Sequence, residues 1–520
     1  MNRWSALAVL LAIAAALALR VPQLAIRPLH NDEAVNAIKV ADLWQHGRYA
    51  YDPDEYHGPS LHYATLPFLW LSGARNADEL NDATLRVAPV VFGVGLIALL
   101  LLFGEALGRR AISCAAFFTA VSPAMVYYSR YFIHEMLLVF FTALTLGAVW
   151  RYTQTPAARW AIVAGAGLGL MFATKETFVI ALAAAGLAGF ITAWWSSPPP
   201  DRVRHLLAFW NWKHAIMAVC AALIIWLVLF SSFFTNFAGL PDSIRTYLPW
   251  LKRAGGHSPH IHPWYFYLQR LAWFHPAKSP VSSEGLILVL AIVGAAISFR
   301  KGSPLHRFIA LYTIILTAAY SAISYKTPWC LLSFHFGMIL LAGIGVAALL
   351  DSVRVRVLRE LFVGVLVALT LQLSFQAWRA SVAAWGTSRE AAAYRRNPYV
   401  YAQTAPDLLN LVKTLHGIAR VSPSAYTTVV KVIAPESDYW PLPWELRRFK
   451  HLGWYDKLSD DPLVPIMVVS SKLNARLDEK SDRKWIMAGL SELRPGNFFE
   501  LYVDLELWKA YVATLPRQPD

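Results

Sequence analysis

Two adjacent carboxylates, Asp32 and Glu33, stand in the polar sequence His30-Asn31-Asp32-Glu33-Ala34, shortly after an apolar stretch near residues 4–26. A carboxylate in this position could take a proton from an acceptor hydroxyl or ligate a divalent cation. Two acids at a helix start could instead act only as its N-terminal cap, because carboxylates are stabilised at the positive helix end. The residues alone leave both interpretations open.

Three further polar breaks interrupt apolar runs, and each carries charged side chains. They are Tyr127–Glu135, Thr174–Thr177 and Ser324–Trp329. Ionisable groups at membrane depth are costly and tend to face a cavity or a partner. Arg130, Lys175 and Lys326 would suit an anionic phosphate, whereas the carboxylates Glu135 and Glu176 would suit hydroxyl activation. The structural alternatives are an Arg130–Glu135 ion pair, snorkelling and interfacial anchoring.

Histidines occur in two long polar loops. His57, in Tyr56-His57-Gly58-Pro59, could bind substrate or metal, or could simply stabilise a turn. His257, His260 and His262 have a spacing that can bind zinc, but no predicted helix or strand fixes this proline-rich segment. A divalent metal is therefore possible, and no other cofactor is assigned. Because no phosphate-binding glycine motif or nucleophile elbow occurs, the donor of any transferred group should carry its own leaving group.

The composition places these residues in a membrane protein. Hydrophobic residues make up 57% of the 520 residues and charged residues 15%, against about 45–50% and about 25% in soluble domains. The apolar residues form runs of roughly 17–25, the length that crosses a bilayer. The net charge of +14 comes with basic residues in the short loops between these runs. This pattern indicates membrane orientation rather than nucleic-acid binding.

We predict about eleven transmembrane helices. They lie near residues 4–26, 85–107, 111–128, 134–150, 158–173, 177–195, 215–234, 285–299, 306–324, 328–350 and 361–376. With the N-terminus in the cytoplasm, the inside loops contain 14 basic residues, whereas the first outside loop, 27–83, has four basic and nine acidic residues. The positive-inside rule therefore places the loops 27–83 and 236–283 and the C-terminal region outside.

Helices and strands can be predicted in the segments assigned to the outside. In the first loop, Asp32–Gln45 and Leu61–Leu71 are amphipathic and predict helices. Residues 1–376 form the predicted transmembrane domain, and 377–520 a small extracytoplasmic α/β domain. In that domain strands are predicted at Thr427–Ile433, Ile466–Ser470 and Phe498–Val503, and helices at Asp407–His416 and Ser481–Leu490.

These motifs resemble the GT-C glycosyltransferase superfamily, which includes protein O-mannosyltransferases and the aminoarabinose transferases of lipid A. The resemblance is strongest to a branch named for an archaeal flippase-associated protein, which also occurs in bacteria. It is carried by motifs that occur in the same order. They are His30–Ala34, Tyr56–Pro59, Tyr128–Phe132, Thr174–Glu176, Ser324–Trp329 and, in the C-terminal region, Asp438–Trp444.

The resemblance implies a GT-C fold and an inverting transfer of sugar from a polyprenyl-phosphate donor. The acceptor would be a lipid, glycan or protein on the extracytoplasmic face of the cell (inner) membrane. Asp32 would be the general base, with Glu33 in support. The implied substrate-binding residues are His57, Arg130, Glu135, Lys175, Glu176 and Lys326.

Two alternatives involve no catalysis: a flippase component that handles lipid-linked glycans, and a scaffold that binds such lipids. Transporters usually place charged groups near the membrane midplane, often in repeated halves. Here the polar motifs lie on one predicted face, and the sequence has no evident repeat. This pattern favours the enzyme.

Overall fold

The computed structural model describes residues 3–54, 57–196, 211–255, 260–276, 279–385, 396–459 and 462–516. The chain is mainly α-helical, with a five-stranded sheet near its C-terminus. Tyr56 and His257 of the predicted motifs lie outside the described residues, as does most of 196–200.

Each of the eleven predicted spans coincides with a helix or with two consecutive helices. These elements are α1 Arg3–Arg20, α4 Asp82–Leu99 with α5 Gly104–Leu107, α6 Arg109–Val121 with α7 Pro123–Ser129, α8 Glu135–Gln154, α9 Ala158–Phe172, α10 Phe178–Ser196, α11 Trp212–Phe230, α15 Gly285–Lys301, α16 Pro304–Ala322, α17 Leu332–Ser352 and α18 Arg356–Ser381.

Within the described residues, seven helical segments are long and apolar enough to cross a membrane. The pair α6 and α7 is bent by 56° and raises the number to eight if it counts as one span. The other three predicted spans are helices of only 18, 15 and 17 residues (α1, α9 and α15). The multi-pass architecture is therefore confirmed, with fewer full-length spans than the apolar runs indicate.

Burial differs strongly among these segments. In the 18-residue apolar stretch of Pro328–Ser352, 83% of the residues are buried, so this segment forms the centre of the bundle, whereas in that of Trp212–Phe230 only 6% are. An apolar helix that protein covers so little is suited to contact with lipid.

The first long loop carries the two amphipathic helices predicted from its sequence. They are α2 Asn31–His46 and α3 Ser60–Ser72. The imidazole of His30 accepts a hydrogen bond from the backbone of Asp32, and the carboxylate of Glu33 accepts one from the backbone of His30. This reciprocal cap fixes the start of α2. The capping role considered for the two acids thus applies to Glu33.

Short helices follow in the second long loop and in the C-terminal region. They are α12 Gly239–Arg245, α13 Tyr247–Gly255, α14 Phe266–Ala272, α19 Leu408–Val421, α20 Leu442–Glu445, α21 Leu477–Lys480 and α22 Leu505–Val512. Helix α19 packs its apolar face against the sheet, since Leu411, Leu415 and Ile418 belong to the same buried cluster as Val430 and Val468.

The sheet contains five strands in the order β2-β1-β3-β5-β4. Their bounds are β1 Val430–Ile433, β2 Leu452–Tyr455, β3 Ile466–Ser470, β4 Trp485–Arg494 and β5 Asn497–Asp504. Strand β1 pairs in parallel with β2 and β3, whereas β5 is antiparallel to β3 and β4. The predicted α/β character of this region is confirmed.

One predicted helix in this region is wrong. The apolar spacing predicts a helix over Ser481–Leu490, but residues 485–490 belong to β4 and residues 481–484 form the turn between α21 and that strand. Apolar residues Ile486, Met487 and Leu490 fit a helix, yet the segment pairs with β5 through a hairpin in which Gly496 has φ of 82°. A proline and a glycine at 495–496 are a turn signal that competes with the helical pattern.

The C-terminal domain is anchored to the first loop. The indole of Trp444 donates to the Asp82 carboxylate at 2.9 Å, and Arg447 donates to the carbonyl oxygen of Ala77 at 3.2 Å. Trp444 is 1% exposed and shares a core with residues of α2. The motif Asp438–Trp444 therefore brings the domain against the segment that carries Asp32.

Candidate functional site

A first cavity, of about 330 Å³, lies between α2 and the polar breaks of the helical bundle. Its lining combines ionisable side chains with aromatic ones. Among the residues that line it are Asp32, Asn36, Lys39, Asp54, His57, His62, Lys175, Trp250, Tyr267, Tyr320, Tyr325 and Trp329. We call it the bundle cavity.

A second cavity, of about 610 Å³, separates the bundle from the C-terminal domain. It is lined on the bundle side by His30, Asn31, Asp32, His260, Tyr325, Thr327, Trp329 and Tyr401. Its other side consists of Pro435, Glu436, Ser437, Asp438, Trp440, Lys472 and Arg494. We call it the interdomain cavity.

Asp32 borders both cavities, together with Tyr325, Thr327 and Trp329. Its side chain is 43% exposed, and its nearest described charge partner is the His30 imidazole at 3.8 Å. A carboxylate at the junction of two cavities can accept a proton from a hydroxyl that enters through one of them. The acid singled out from the sequence as a candidate base thus lies beside both cavities.

Glu33 has the opposite environment. It is fully buried, and its two oxygens accept hydrogen bonds from Arg86 at 2.8 and 2.9 Å, from Arg27 at 3.3 Å and from the Phe132 amide at 2.8 Å. Burial alone would raise its pKa, but Arg86 and Arg27 lower the pKa of Glu33 to about 2. With its acceptor capacity filled, Glu33 joins the first loop to the break between α7 and α8.

His57 and Glu176 are brought together as a pair. The His57 ring nitrogen Nδ1 lies 3.0 Å from Glu176 Oε2. Gly58 allows this approach because a Cβ on it would lie 2.1 Å from the Ala173 carbonyl oxygen. The Gly58 amide donates to Thr174 at 3.0 Å and fixes the turn. His57 thus lines the bundle cavity, with Glu176 behind it.

Lys175 and Glu135 form a second pair, in which the ammonium group donates to the carboxylate. Burial alone would lower the pKa of Lys175, but Glu135 raises it above its ordinary value, so the side chain stays charged. Lys175 lines the bundle cavity, whereas Glu135 is buried at the first turn of α8. The Arg130–Glu135 pair considered from the sequence is not formed.

Arg130 and Lys326 lie outside the described linings of both cavities. The guanidinium of Arg130 donates to the carbonyl oxygens of Arg20 and Pro22 at 2.7 Å, and so closes the C-terminal end of α1. Lys326 donates to the carbonyl oxygens of His262 and Ile323 and joins two loops. In this arrangement both cations position backbone rather than face a ligand.

Three residues in or beside the bundle cavity were not singled out from the sequence: Lys39 and His62 line it, and His134 packs against His57 and His62. Lys39 lies on the cavity-facing side of α2, seven residues or about two helical turns after Asp32, and this spacing is the signal that could have found it. His62 and His134 have ring centroids 5.5 Å apart beside His57, and burial lowers the pKa of each well below its ordinary value.

Of the three histidines whose spacing could bind zinc, the structure describes two, and these make hydrogen-bond contacts with a tyrosine. His260 and His262 both contact the hydroxyl of Tyr401, at 2.6 and 3.2 Å. Across the ranges given above, no group of three or more His, Cys, Asp or Glu side chains is arranged to hold a metal ion.

Residues 60–238 match the family model for dolichyl-phosphate-mannose-protein mannosyltransferase. Comparison with curated protein sequences gives no match. The fold is similar to that of ArnT from Cupriavidus metallidurans bound to undecaprenyl phosphate, with 15% identity, a TM-score of 0.63 and coverage of 98% of this chain and 99% of that one.

A second similar structure is the Archaeoglobus fulgidus oligosaccharyltransferase, tethered to an acceptor peptide that contains the NVT sequon. It has 12% identity, a TM-score of 0.53 and coverage of 88% of this chain and 64% of that one. At these identities the structures establish the fold, and the family model covers the segment that carries Arg130 and Lys175 and begins just after His57. The prediction of a GT-C-type membrane glycosyltransferase is therefore confirmed, by a family model over part of the chain and by the fold over nearly all of it.

Proposed function

We propose that the protein transfers a sugar from a polyprenyl-phosphate donor to an acceptor hydroxyl, with Asp32 as the general base. The observation that supports this most directly is the position of Asp32 at the junction of the two cavities. A donor in one cavity and an acceptor in the other would meet at this carboxylate. The ArnT structure to which the chain is similar contains undecaprenyl phosphate, which supports a donor of this class.

The reaction balances with these groups alone. The acceptor oxygen attacks the anomeric carbon and forms the new glycosidic bond while the bond from that carbon to the phosphate oxygen breaks. The electron pair of the broken bond leaves with the polyprenyl phosphate, and the hydroxyl proton passes to Asp32. Attack on the face opposite the phosphate inverts the anomeric centre.

The bundle cavity is the better site for the donor. Lys39 and Lys175 supply positive charge to its wall, and His57 offers a ring nitrogen. Cations placed where the leaving phosphate gains charge would stabilise the transition state. Glu135 holds Lys175 in position, and Glu176 does the same for His57. Arg130 and Lys326, which bind backbone carbonyl oxygens, and Glu33, which binds Arg86 and Arg27, would then hold the surrounding structure and not contact the substrate.

The orientation follows from charge. The cytoplasmic loops carry the excess of basic residues, so Asp32 and residues 377–520 lie on the extracytoplasmic face of the cell membrane. Both cavities border segments assigned to that face. This arrangement favours an enzyme over a flippase component, because a flippase needs a polar route across the bilayer.

The test uses the full-length protein in liposomes with radiolabelled polyprenyl-phosphate sugars. Asp32→Asn should abolish both transfer and the slow release of sugar to water, since the substituted side chain cannot accept the proton. The matched control is Asp42→Asn, on the same helix, where the carboxylate is 57% exposed and pairs with His46. Full transfer by the Asp32 variant, or equal loss in both variants, would refute the assignment.

A further inference from the structure

The interdomain cavity lies at a specific place on the C-terminal sheet. The segment Pro435–Asp438 directly follows β1, and Lys472 directly follows β3. These two strands are parallel neighbours, and the strand order reverses between them, because β2 lies on one side of β1 and β3 on the other. In open α/β sheets, ligands bind at the carboxyl ends of strands where the order reverses. The sheet thus presents its binding edge to Asp32.

Aromatic side chains line this cavity on both walls. Tyr325 and Trp329 come from the bundle, Tyr401 from the segment before α19 that packs on the bundle, and Trp440 from the segment between β1 and β2. The rings of Trp329 and Tyr401 meet edge to face, with centroids 6.1 Å apart and an interplanar angle of 83°. The electron-rich face of an aromatic ring suits the positively polarised C–H bonds on one face of a sugar.

The charged groups of the cavity neutralise one another. Arg494 pairs with one oxygen of Asp438, and Lys472 lies 3.2 Å from the other. The amide of Asn497 also donates to Asp438, at 3.0 Å. Among the described lining residues, two permanent cations thus share one carboxylate, while Asp32 and Glu436 add negative charge.

This balance argues against a phosphorylated ligand, because no surplus of cations faces the cavity and two further carboxylates do. The same groups suit vicinal hydroxyls, since a fixed guanidinium and amide can donate hydrogen bonds to neighbouring hydroxyl oxygens and a carboxylate can accept hydrogen bonds from them. A peptide acceptor would gain little from opposed aromatic walls and an ion-paired rim.

We propose that the interdomain cavity binds an uncharged carbohydrate, which serves as the acceptor and presents one hydroxyl to Asp32. The proposal rests on the function argued above and specifies its acceptor. Trp440 forms the sugar-stacking wall, and the Asp438–Arg494 pair supplies hydrogen bonds at the rim.

The experiment measures ligand binding to the full-length protein in detergent by saturation-transfer NMR. The probes are a panel of neutral gluco-, manno-, galacto- and xylo-oligosaccharides, mannose 6-phosphate and a Ser/Thr-rich peptide. At least one neutral oligosaccharide should bind. Trp440→Leu should weaken that binding about fivefold, as expected for loss of an aromatic contact. Trp440→Phe keeps a ring and should bind within about twofold of the unsubstituted protein.

Three results would overturn the proposal: no binding by any neutral oligosaccharide, binding of only the phosphosugar or the peptide, or equal affinity in the Leu and Phe variants. Release of sugar from polyprenyl-phosphate donors is measured separately. If oligosaccharides bind but no donor is consumed, the transferase function fails while the carbohydrate site stands. If donors are consumed but only the peptide or the phosphosugar accelerates their consumption, the transferase function stands and the proposal of a neutral carbohydrate acceptor is wrong.

Discussion

The carboxylates of Asp32 and Glu33, adjacent in the sequence, lie in opposite surroundings. Glu33 is fully buried against Arg86 and Arg27, whereas the side chain of Asp32 is 43% exposed beside two cavities. Successive helical residues point about 100° apart, so one faces the protein while the next faces the cavity. Glu33 therefore anchors the start of the helix, whereas Asp32 is free to contact a substrate.

We first predict that Glu33→Gln destabilises the protein, whereas Asp32→Asn does not. The substitution leaves two guanidinium groups buried without a counter-charge, and breaking such a buried pair costs about 3–5 kcal/mol. Thermal unfolding in detergent should show a much lower midpoint for Glu33→Gln. Equal midpoints for the two variants would contradict the anchoring role of Glu33.

The same pair predicts a pH dependence. The folded pKa of Glu33 is about 2, below its ordinary value. Because this pKa is depressed, the stabilising contribution is complete above about pH 4.5 and is lost as the pH falls toward 2. Unfolding midpoints measured between pH 6 and 3 should therefore decline at the acid end, and the decline should be smaller in Glu33→Gln.

Much of the fold could be predicted from the sequence. Apolar runs located every helix of the bundle, and the amphipathic pattern placed α2 within one residue at each end. The lengths of the spans were predicted less well, because helix Arg3–Arg20 ends six residues before its predicted span 4–26 does. The strand Trp485–Arg494 was missed because its apolar spacing fits a helix, whereas hairpin pairing with the following strand, Asn497–Asp504, decided its conformation.

The sequence indicated the site less completely. It identified Asp32, His57 and Lys175, which line the bundle cavity. It could not tell which cation faces a cavity and which satisfies backbone carbonyls, as Arg130 does. That distinction depends on contacts between residues about a hundred positions apart, which local spacing does not encode.

We next predict that Lys175 has separable structural and binding roles. Lys175→Met should weaken donor binding and also lower stability, because Glu135 is left buried without its partner. The double variant Lys175→Met, Glu135→Gln should recover stability but not donor affinity. A double-mutant cycle on the unfolding midpoint and on the donor KM checks this. Recovery of donor affinity in the double variant would show that Lys175 does not contact the donor.

Arg130 should prove structural. Arg130→Ala removes hydrogen bonds to the carbonyl oxygens of Arg20, Pro22 and Gln23. Bonds that involve a charged group each contribute about 1.5–3 kcal/mol, so the variant should lose stability while the donor KM stays unchanged. Arg130→Lys keeps the charge but not the planar fork and should lose part of that stability. A large rise in donor KM with normal stability would instead place Arg130 at the phosphate.

Finally, Glu445 should make the stability of the protein fall as the pH rises. Glu445 directly follows the motif Asp438–Trp444, which holds the C-terminal domain against the first loop. One of its oxygens, Oε1, is buried without a hydrogen-bond partner among the described residues. Burial, aided by the Asp82 carboxylate, raises the pKa of Glu445 to about 8. Between about pH 4.5 and 8 the folded state thus holds a proton that the unfolded chain releases.

Since the folded state binds more protons over that interval, its stability declines with rising pH. Glu445→Gln mimics the protonated form and should remove this decline, so that the variant unfolds at a higher temperature than the unsubstituted protein at pH 8 and at a similar one at pH 5. Glu436→Gln, at an exposed acid of the same domain, serves as the control and should leave the profile unchanged. A profile that stays the same in Glu445→Gln would show that this carboxyl is already ionised in the folded protein.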